Sequence, residues 1–185
     1  MVATTRGRLL VATPPLDDPN FDRSVVFVLE HDDAGALGVM LNRVSDEPVP
    51  DALDRWQDRL TEPSMIFEGG PVETQALIGL GRRQPGERSD EDHELALTPT
   101  ISSVDLSADP LLIVGLISVR VFQGYSGWGS AQLDAEIAAG GWMVLDASDD
   151  DVFTTSPGDL WRTVLGRQPG RLSWIAAAPD DLSLN

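Results

Sequence analysis

Cysteine and lysine are both absent from the 185 residues, histidine occurs twice and tyrosine once. Without cysteine there is no thiol nucleophile, thiolate metal site or disulfide scaffold, and a reducing compartment, the cytoplasm, is the expected location. Without lysine the phosphate-loop pattern cannot be met, and the glycine spacings do not fit the dinucleotide fingerprint either. His31 and His93 would need carboxylates to complete a metal site, and no two of these residues share a helical face, so neither metal nor cofactor is expected. Long apolar runs are also missing. The longest, residues 111–117, is seven residues with a glycine inside, far below the roughly 20 needed to cross a bilayer. Behind Arg6 and Arg8 the short run 9–12 is stopped by Pro14 and Pro15, before a signal-peptide core can form. Neither a membrane span nor secretion is expected.

Positive charge is scarce. Thirteen arginines face thirty acids for a formal net charge of −17. The acid is spread along the chain: residues 1–93 hold nine arginines and eighteen acids, residues 94–185 four and twelve. Nucleic-acid binding needs a concentrated basic footprint that displaces counterions from phosphates, and no window supplies one. Direct DNA contact is therefore not expected. The charge reads as a solvated acidic surface, and an arginine-rich protein would be its natural electrostatic partner.

What is present is enough for a core. A chain of this length buries roughly 70% of its unfolded surface, so its 42% hydrophobic residues suffice for one domain spanning 1–185. Residues 9–13 read as a strand, and 24–30 and 36–41 as a hairpin turning at Gly35. Pro50 opens an amphipathic helix with Leu53, Trp56 and Leu60 on one face. Residues 65–67 and 76–80 read as a second hairpin about the Gly69-Gly70-Pro71 turn. Residues 82–92 are charged and loop-like, the segment expected to be least ordered, and no site is placed there. Residues 95–97 and 101–106 are brief elements, and 111–122 a central strand with a bulge at Gly115. Residues 131–139 form a helix with Ser130 as N-cap, 142–145 a strand, and 149–151 an acidic turn. Ser156, Pro157 and Asp159 open a last helix that runs to about Leu165. Helices and hairpins mixed in this order give an α+β fold.

The stretch 124–129, Gly-Tyr-Ser-Gly-Trp-Gly, lies between a strand and a helix, where a nucleophile or an anion site is commonly built. A nucleophile elbow needs small residues two positions either side of the serine. Gly124 satisfies this and Trp128 does not. The stretch reads instead as a turn whose glycines shape the backbone while Trp128 fills the core. A hydrolase with Ser126 as nucleophile and His31 as base is the catalytic alternative. It requires the two side chains to meet. The acidic groups at 17–18, 32–33, 90–92 and 149–151 lack the ligand pattern of a calcium loop and read as caps and solvated turns. Phe21, Trp56, Trp128, Trp142 and Trp161 lie on or beside apolar periodicities and read as mostly core.

Several separated segments resemble the AlgH/YqgE family of bacterial proteins. They are residues 7–13, residues 18–31 with Phe21, Arg23 and Ser24, the return 35–42 ending at Asn42, the turn 68–72, and the block 124–136 with Gln132 and Leu133. Residues 181–185 are similar to that family's terminus. The chain departs from the pattern at Val44, where proline is common, and at Ala131, where glycine usually precedes the glutamine. The resemblance implies a mainly antiparallel bent sheet forming an open pseudo-barrel flanked by helices. It implies no established activity, although some members carry the label of transcriptional regulator. The expectation that follows is a non-catalytic regulatory or interaction module. Its binding surface would involve Phe21, Arg23, Ser24, His31, Asn42, Tyr125, Ser126, Trp128 and Gln132, and its partner would be a protein or a small ligand.

Overall fold

The computed structural model describes residues 4–14, 16, 18–89 and 91–177. Pro15, Asp17, Asp90 and the terminal segment 181–185, to which expectations were attached, lie outside the described residues. The strands are β1 (Arg8–Ala12), β2 (Val25–Asp32), β3 (Gly35–Met40), β4 (Ile66–Glu68), β5 (Val72–Arg83), β6 (Glu94–Ala96), β7 (Ile101–Val104), β8 (Leu116–Gly129) and β9 (Trp142–Asp146). The α-helices are α1 (Gln132–Ala138), α2 (Asp149–Val152), α3 (Leu160–Gly166) and α4 (Arg171–Ala176). One continuous sheet runs β6-β7-β5-β8-β3-β2-β1-β9, with β4 attached to β8. All pairings are antiparallel except β4 with β8. The sheet is an open, strongly curled half-barrel with a few helices, the α+β architecture that the residue pattern and the resemblance both imply.

Sequence pattern explains where the layers lie. β1 after Arg8 and the first five residues of β2 are continuously apolar because both of their faces are covered, and alternation is lost in such stretches. On one face Leu9, Val11, Val25 and Phe27 pack with Phe122 and with Trp161 and Val164 of α3. On the other Leu10, Val26 and Val28 pack with Trp128, Trp142 and with Leu133 of α1. A third cluster, with Trp56, Ile66, Val119 and Val121, fills the outer side of β8.

The structure corrects several expectations. Residues 124–129 are not a turn but the second half of the fourteen-residue β8, which pairs with β5 and β4 along its first half and with β3 along residues 126–129. The glycines serve a close crossing rather than a reversal. Gly124 has φ +69°, and a Cβ there would lie 2.5 Å from the carbonyl oxygen of Gly70. A Cβ on Gly70 would come within 2.2 Å of the Tyr125 backbone, so the two glycine motifs exist to let two backbones touch. The hairpin expected between 65–67 and 76–80 does not form, because β8 runs between those strands and takes both as neighbours.

The apolar run 111–115 is not strand. Asp109 accepts the Leu111 N–H on its carboxylate (3.0 Å) and the Leu112 N–H on its carbonyl (3.0 Å), a local turn that outcompetes extension and leaves Leu111, Leu112 and Val114 exposed. Gly115 belongs to that turn, with φ +79°, and makes no bulge. The helix after Pro50 is a 3-10 segment, Asp51–Arg59; its buried Leu53 and Trp56 are three residues apart, the repeat of that geometry. Ser130 does not cap α1. Its hydroxyl donates to the Asp33 carbonyl (2.8 Å), and the N-cap is Ala131 in the left-handed region.

Two charged segments carry more structure than composition suggests. Residues 82 and 83 lie in β5, and Arg83 pairs with Glu94, both side chains buried. The acidic stretch 149–151 is the one-turn helix α2 with a Ser148/Asp151 capping box. Asp151 is buried and accepts from Arg167, whose guanidinium is held above its usual pKa chiefly by that hydrogen bond. A further short helix, α4, follows the expected last one.

Candidate functional site

Four residues singled out from sequence prove to be backbone anchors. Asn42 clamps the start of β2: its Oδ1 accepts the Val25 N–H (3.0 Å) and its Nδ2 donates to the Arg23 carbonyl (2.9 Å). Ser24, fully buried, donates to the Phe21 carbonyl (2.9 Å). Ser126, also fully buried, donates to the Gly69 carbonyl (3.1 Å) and so ties β8 to the glycine turn. Gln132 accepts the Gly129 N–H on Oε1 (3.0 Å), supplying part of the cap that Ala131 lacks. Arg23 has φ +51°, and its guanidinium carbon lies 5.5 Å from the Trp161 ring centroid.

Phe21 and Trp128 join Trp142 in an aromatic cluster. Phe21 stacks on Trp128 with centroids 6.0 Å apart, and Trp142 meets both rings edge-on at 5.4 and 5.8 Å. Glu136, which sequence reasoning missed, organises it. One carboxylate oxygen accepts from Trp128 Nε1 (2.9 Å) and Trp142 Nε1 (2.8 Å), and the other from Gln132 Nε2 (3.0 Å). The available signal was its position, four residues after Gln132 on one helix face.

The structure does not bring Ser126 and His31 together. His31 pairs with Ala36, Ala36 with Trp128, and Ser126 lies two residues further along β8. Two strand spacings and two residue rises put their Cα atoms roughly 12 Å apart. The imidazole is also engaged. Its Nδ1 accepts the Thr5 N–H (3.3 Å) and lies 2.9 Å from the Thr5 hydroxyl. On this hydrogen-bond assignment the ring proton of the neutral tautomer sits on Nε2, which faces the Asp134 carboxylate at 3.8 Å. Such a ring has no free lone pair with which to act as base.

Two buried cations remain to be placed. Arg83 is met by Glu94, while Arg120 on β8 is held by carbonyls: Nη1 donates to Thr154 (2.6 Å) and Nη2 to Glu62 (2.7 Å). Its guanidinium lies over the Phe67 ring, 4.2 Å from the centroid. Burial pushes its pKa down to about 10, which leaves it charged at neutral pH. Neither cation reaches solvent, and both tie loops to strands. Among the described residues no group of three or more histidines, aspartates or glutamates gathers to hold a metal ion. Among the described residues no helix is long and apolar enough to cross a membrane.

One of the concavities among the described residues is a cleft of about 310 Å³ where β3, β4, the glycine turn and β8 meet. Its charged lining is Arg43, Glu47 and Glu68 and its neutral polar lining Asn20, Ser45, Thr74 and Gln123, beside Met40, Gly70 and Pro71. Three of the segments that carry the resemblance, 18–31, 35–42 and 68–72, converge here. Some residues in contact with the cleft are chain neighbours of residues singled out from sequence: Asn20 beside Phe21, Arg43 beside Asn42, Gln123 beside Gly124. A second, shallower concavity of about 480 Å³ is lined by Glu30, Asp32, Leu37, Tyr125 and Trp128.

Comparison with known proteins gives one consistent result. The model of an AlgH-like family matches residues 9–173. A UPF0301 protein of Streptomyces avermitilis is 46% identical over 188 aligned residues, which cover 100% of this chain and 97% of that protein. A UPF0301 protein of Thermobifida fusca is 45% identical, covering 97% and 94%. Among solved structures, protein DIP2367 of Corynebacterium diphtheriae superimposes with a TM-score of 0.88 at 32% identity, over 95% of this chain and 93% of that one. The solution structure of the AlgH protein of Pseudomonas aeruginosa gives a TM-score of 0.68 at 25% identity, over 98% and 100%.

Proposed function

The chain belongs to the AlgH-like family, and from that premise we propose that it is a non-catalytic cytoplasmic binding module whose ligand is a small polar molecule seated in the 310 Å³ cleft. The observation that carries this reading is the convergence on that cleft of three segments that carry the resemblance, two flanking the turn of the β2–β3 hairpin and the third the glycine turn about thirty residues further on. Two further observations support it. The hydroxyl and imidazole suited to catalysis are both committed to structural hydrogen bonds. The cleft volume also sits at the small end of ligand pockets, roughly 300–1,000 Å³. Regulation of transcription, the label attached to the resemblance, fits as an indirect role in which the loaded module contacts another protein. A net charge of −17 opposes direct contact with a polyanion.

Chemical-shift mapping of the full chain against a fractionated small-molecule extract tests the reading. The expected result is a saturable fraction that moves the amides of Gly70 and Gln123, and an Arg43→Gln variant of unchanged melting temperature that no longer responds. A response confined to residues outside the cleft, or none from any fraction, would overturn it.

A further inference from the structure

Arg43, Glu47 and Glu68 line the same cleft, and no ion pair joins them among the described residues. The guanidinium makes one hydrogen bond among the described residues, from Nη2 to the Asp22 carbonyl (3.3 Å), and reaches neither Glu47 nor Glu68 within ion-pair distance. Arg43 is half-buried, Glu47 and Glu68 exposed. Opposite charges on the walls of one small cavity attract, and folding ordinarily closes such a gap by a rotamer change. Here the walls are fixed. Asn42 holds the backbone next to Arg43, whose own carbonyl accepts the Glu68 N–H (2.9 Å), and the Gly69 N–H donates to Gln123 (2.8 Å). The backbone that presents Arg43 and Glu68 to the cleft is thus held by hydrogen bonds on both sides. Neutral groups complete the surface: the side chains of Asn20, Thr74 and Gln123 line it with no protein partner among the described residues.

We infer that the cleft is built for a small zwitterion, an amino-acid-type molecule whose carboxylate meets Arg43 and whose ammonium meets Glu47 and Glu68. A simple anion would face two carboxylates, and a simple cation would face the guanidinium. Only a ligand carrying both signs satisfies all three groups, with the neutral side chains left to orient it. The volume admits such a molecule. The acidic field of the whole protein attracts the ammonium end, and Arg43 is the local exception that fixes direction. A guanidinium is suited to the carboxylate end because its fork of N–H donors matches two oxygens.

This inference rests on the proposed ligand cleft, and the test separates the two. Amide chemical shifts of the full chain are followed while L-alanine, ethylammonium and acetate are titrated in parallel at equal ionic strength. The expected result is saturable movement of Gly70 and Gln123 with L-alanine, and at least tenfold weaker response to either half-molecule. Arg43→Gln should abolish the preference of L-alanine over ethylammonium, and Glu68→Gln its preference over acetate, with both variants melting as the parent does. Equal binding of acetate or ethylammonium and L-alanine would overturn the zwitterion while leaving the cleft as a ligand site. The same holds if an extract fraction free of amino acids saturates the cleft and L-alanine does not. Silence of the cleft toward all three probes and toward every extract fraction would overturn both.

Discussion

Ala131 sits at φ +59° and ψ 0°, immediately before α1, at the position where the resembling family usually carries glycine. An L-residue in the left-handed region costs roughly 1–2 kcal/mol, because its Cβ crowds the following carbonyl. Glycine removes that crowding and returns about 0.5–1 kcal/mol through its larger entropy loss on folding. The residue is exposed, so no packing is lost. As an N-cap glycine is also better than alanine. Ala131→Gly should therefore stabilise the chain by about 0.5–1 kcal/mol. For a chain of this size roughly 2–4 °C accompanies each kcal/mol, so the melting temperature should rise by about 1–4 °C. The internal control is Ala135→Gly, exposed and in the right-handed interior of the same helix, which should lose about 1 kcal/mol. Paired urea and thermal unfolding curves read both. If Ala131→Gly melts below the parent, or shifts in the same direction as Ala135→Gly, the strain assigned to this cap is not there.

Other perturbations follow from single contacts. Glu136→Ala strips two buried indole N–H groups of their shared acceptor and should cost about 2–5 kcal/mol, whereas Glu136→Gln keeps an acceptor and should cost no more than about 1.5; equal losses by urea unfolding would refute the shared role. Ser126→Ala should cost only about 0.5–1.5 kcal/mol, the worth of one hydrogen bond, and a fluorophosphonate probe should leave the parent serine unlabelled, as mass spectrometry would report. Glu94→Ala strands the buried Arg83 guanidinium and should cost about 3–5 kcal/mol, while the double replacement Arg83→Met with Glu94→Leu should recover more than half of that in the same unfolding assay.

The parts of the fold legible in sequence are those whose signal is local. β1 and the β2–β3 hairpin announce themselves as apolar runs around Gly35, and Trp56, Trp128, Trp142 and Trp161 are buried as their apolar neighbours imply. Elements failed to be legible where a distant partner decides. Glycine density at 124–129 signals a turn in isolation; that it permits a strand to cross the Gly69-Gly70 backbone depends on a segment more than fifty residues away. Arg83 looks solvated among charged neighbours because Glu94 and the carbonyl of Val114 reach it only after the sheet forms. At 111–114 the error runs the other way. Hydropathy suggests burial, and the Asp109 turn overrides it with two short-range hydrogen bonds.

The candidate site shows the same division one residue at a time. Residues that brace the frame have chain neighbours that meet the cleft. Asn42 turns inward to hold β2 and Arg43 meets the cleft; the Gly124 crossing is invisible to a ligand and Gln123 is not. The residues that carry the resemblance are mostly the braces, because shape at a backbone crossing tolerates little substitution, and on the proposed reading a ligand would meet their chain neighbours. The consequence governs how variants must be read. Removing Asn42 or Ser126 loosens the walls and should weaken binding and stability together, whereas removing Arg43 or Glu68 should weaken binding while the melting temperature stays put. A variant set in which the braces and the wall charges lose binding and stability in the same proportion would mean that the charges too are part of the frame.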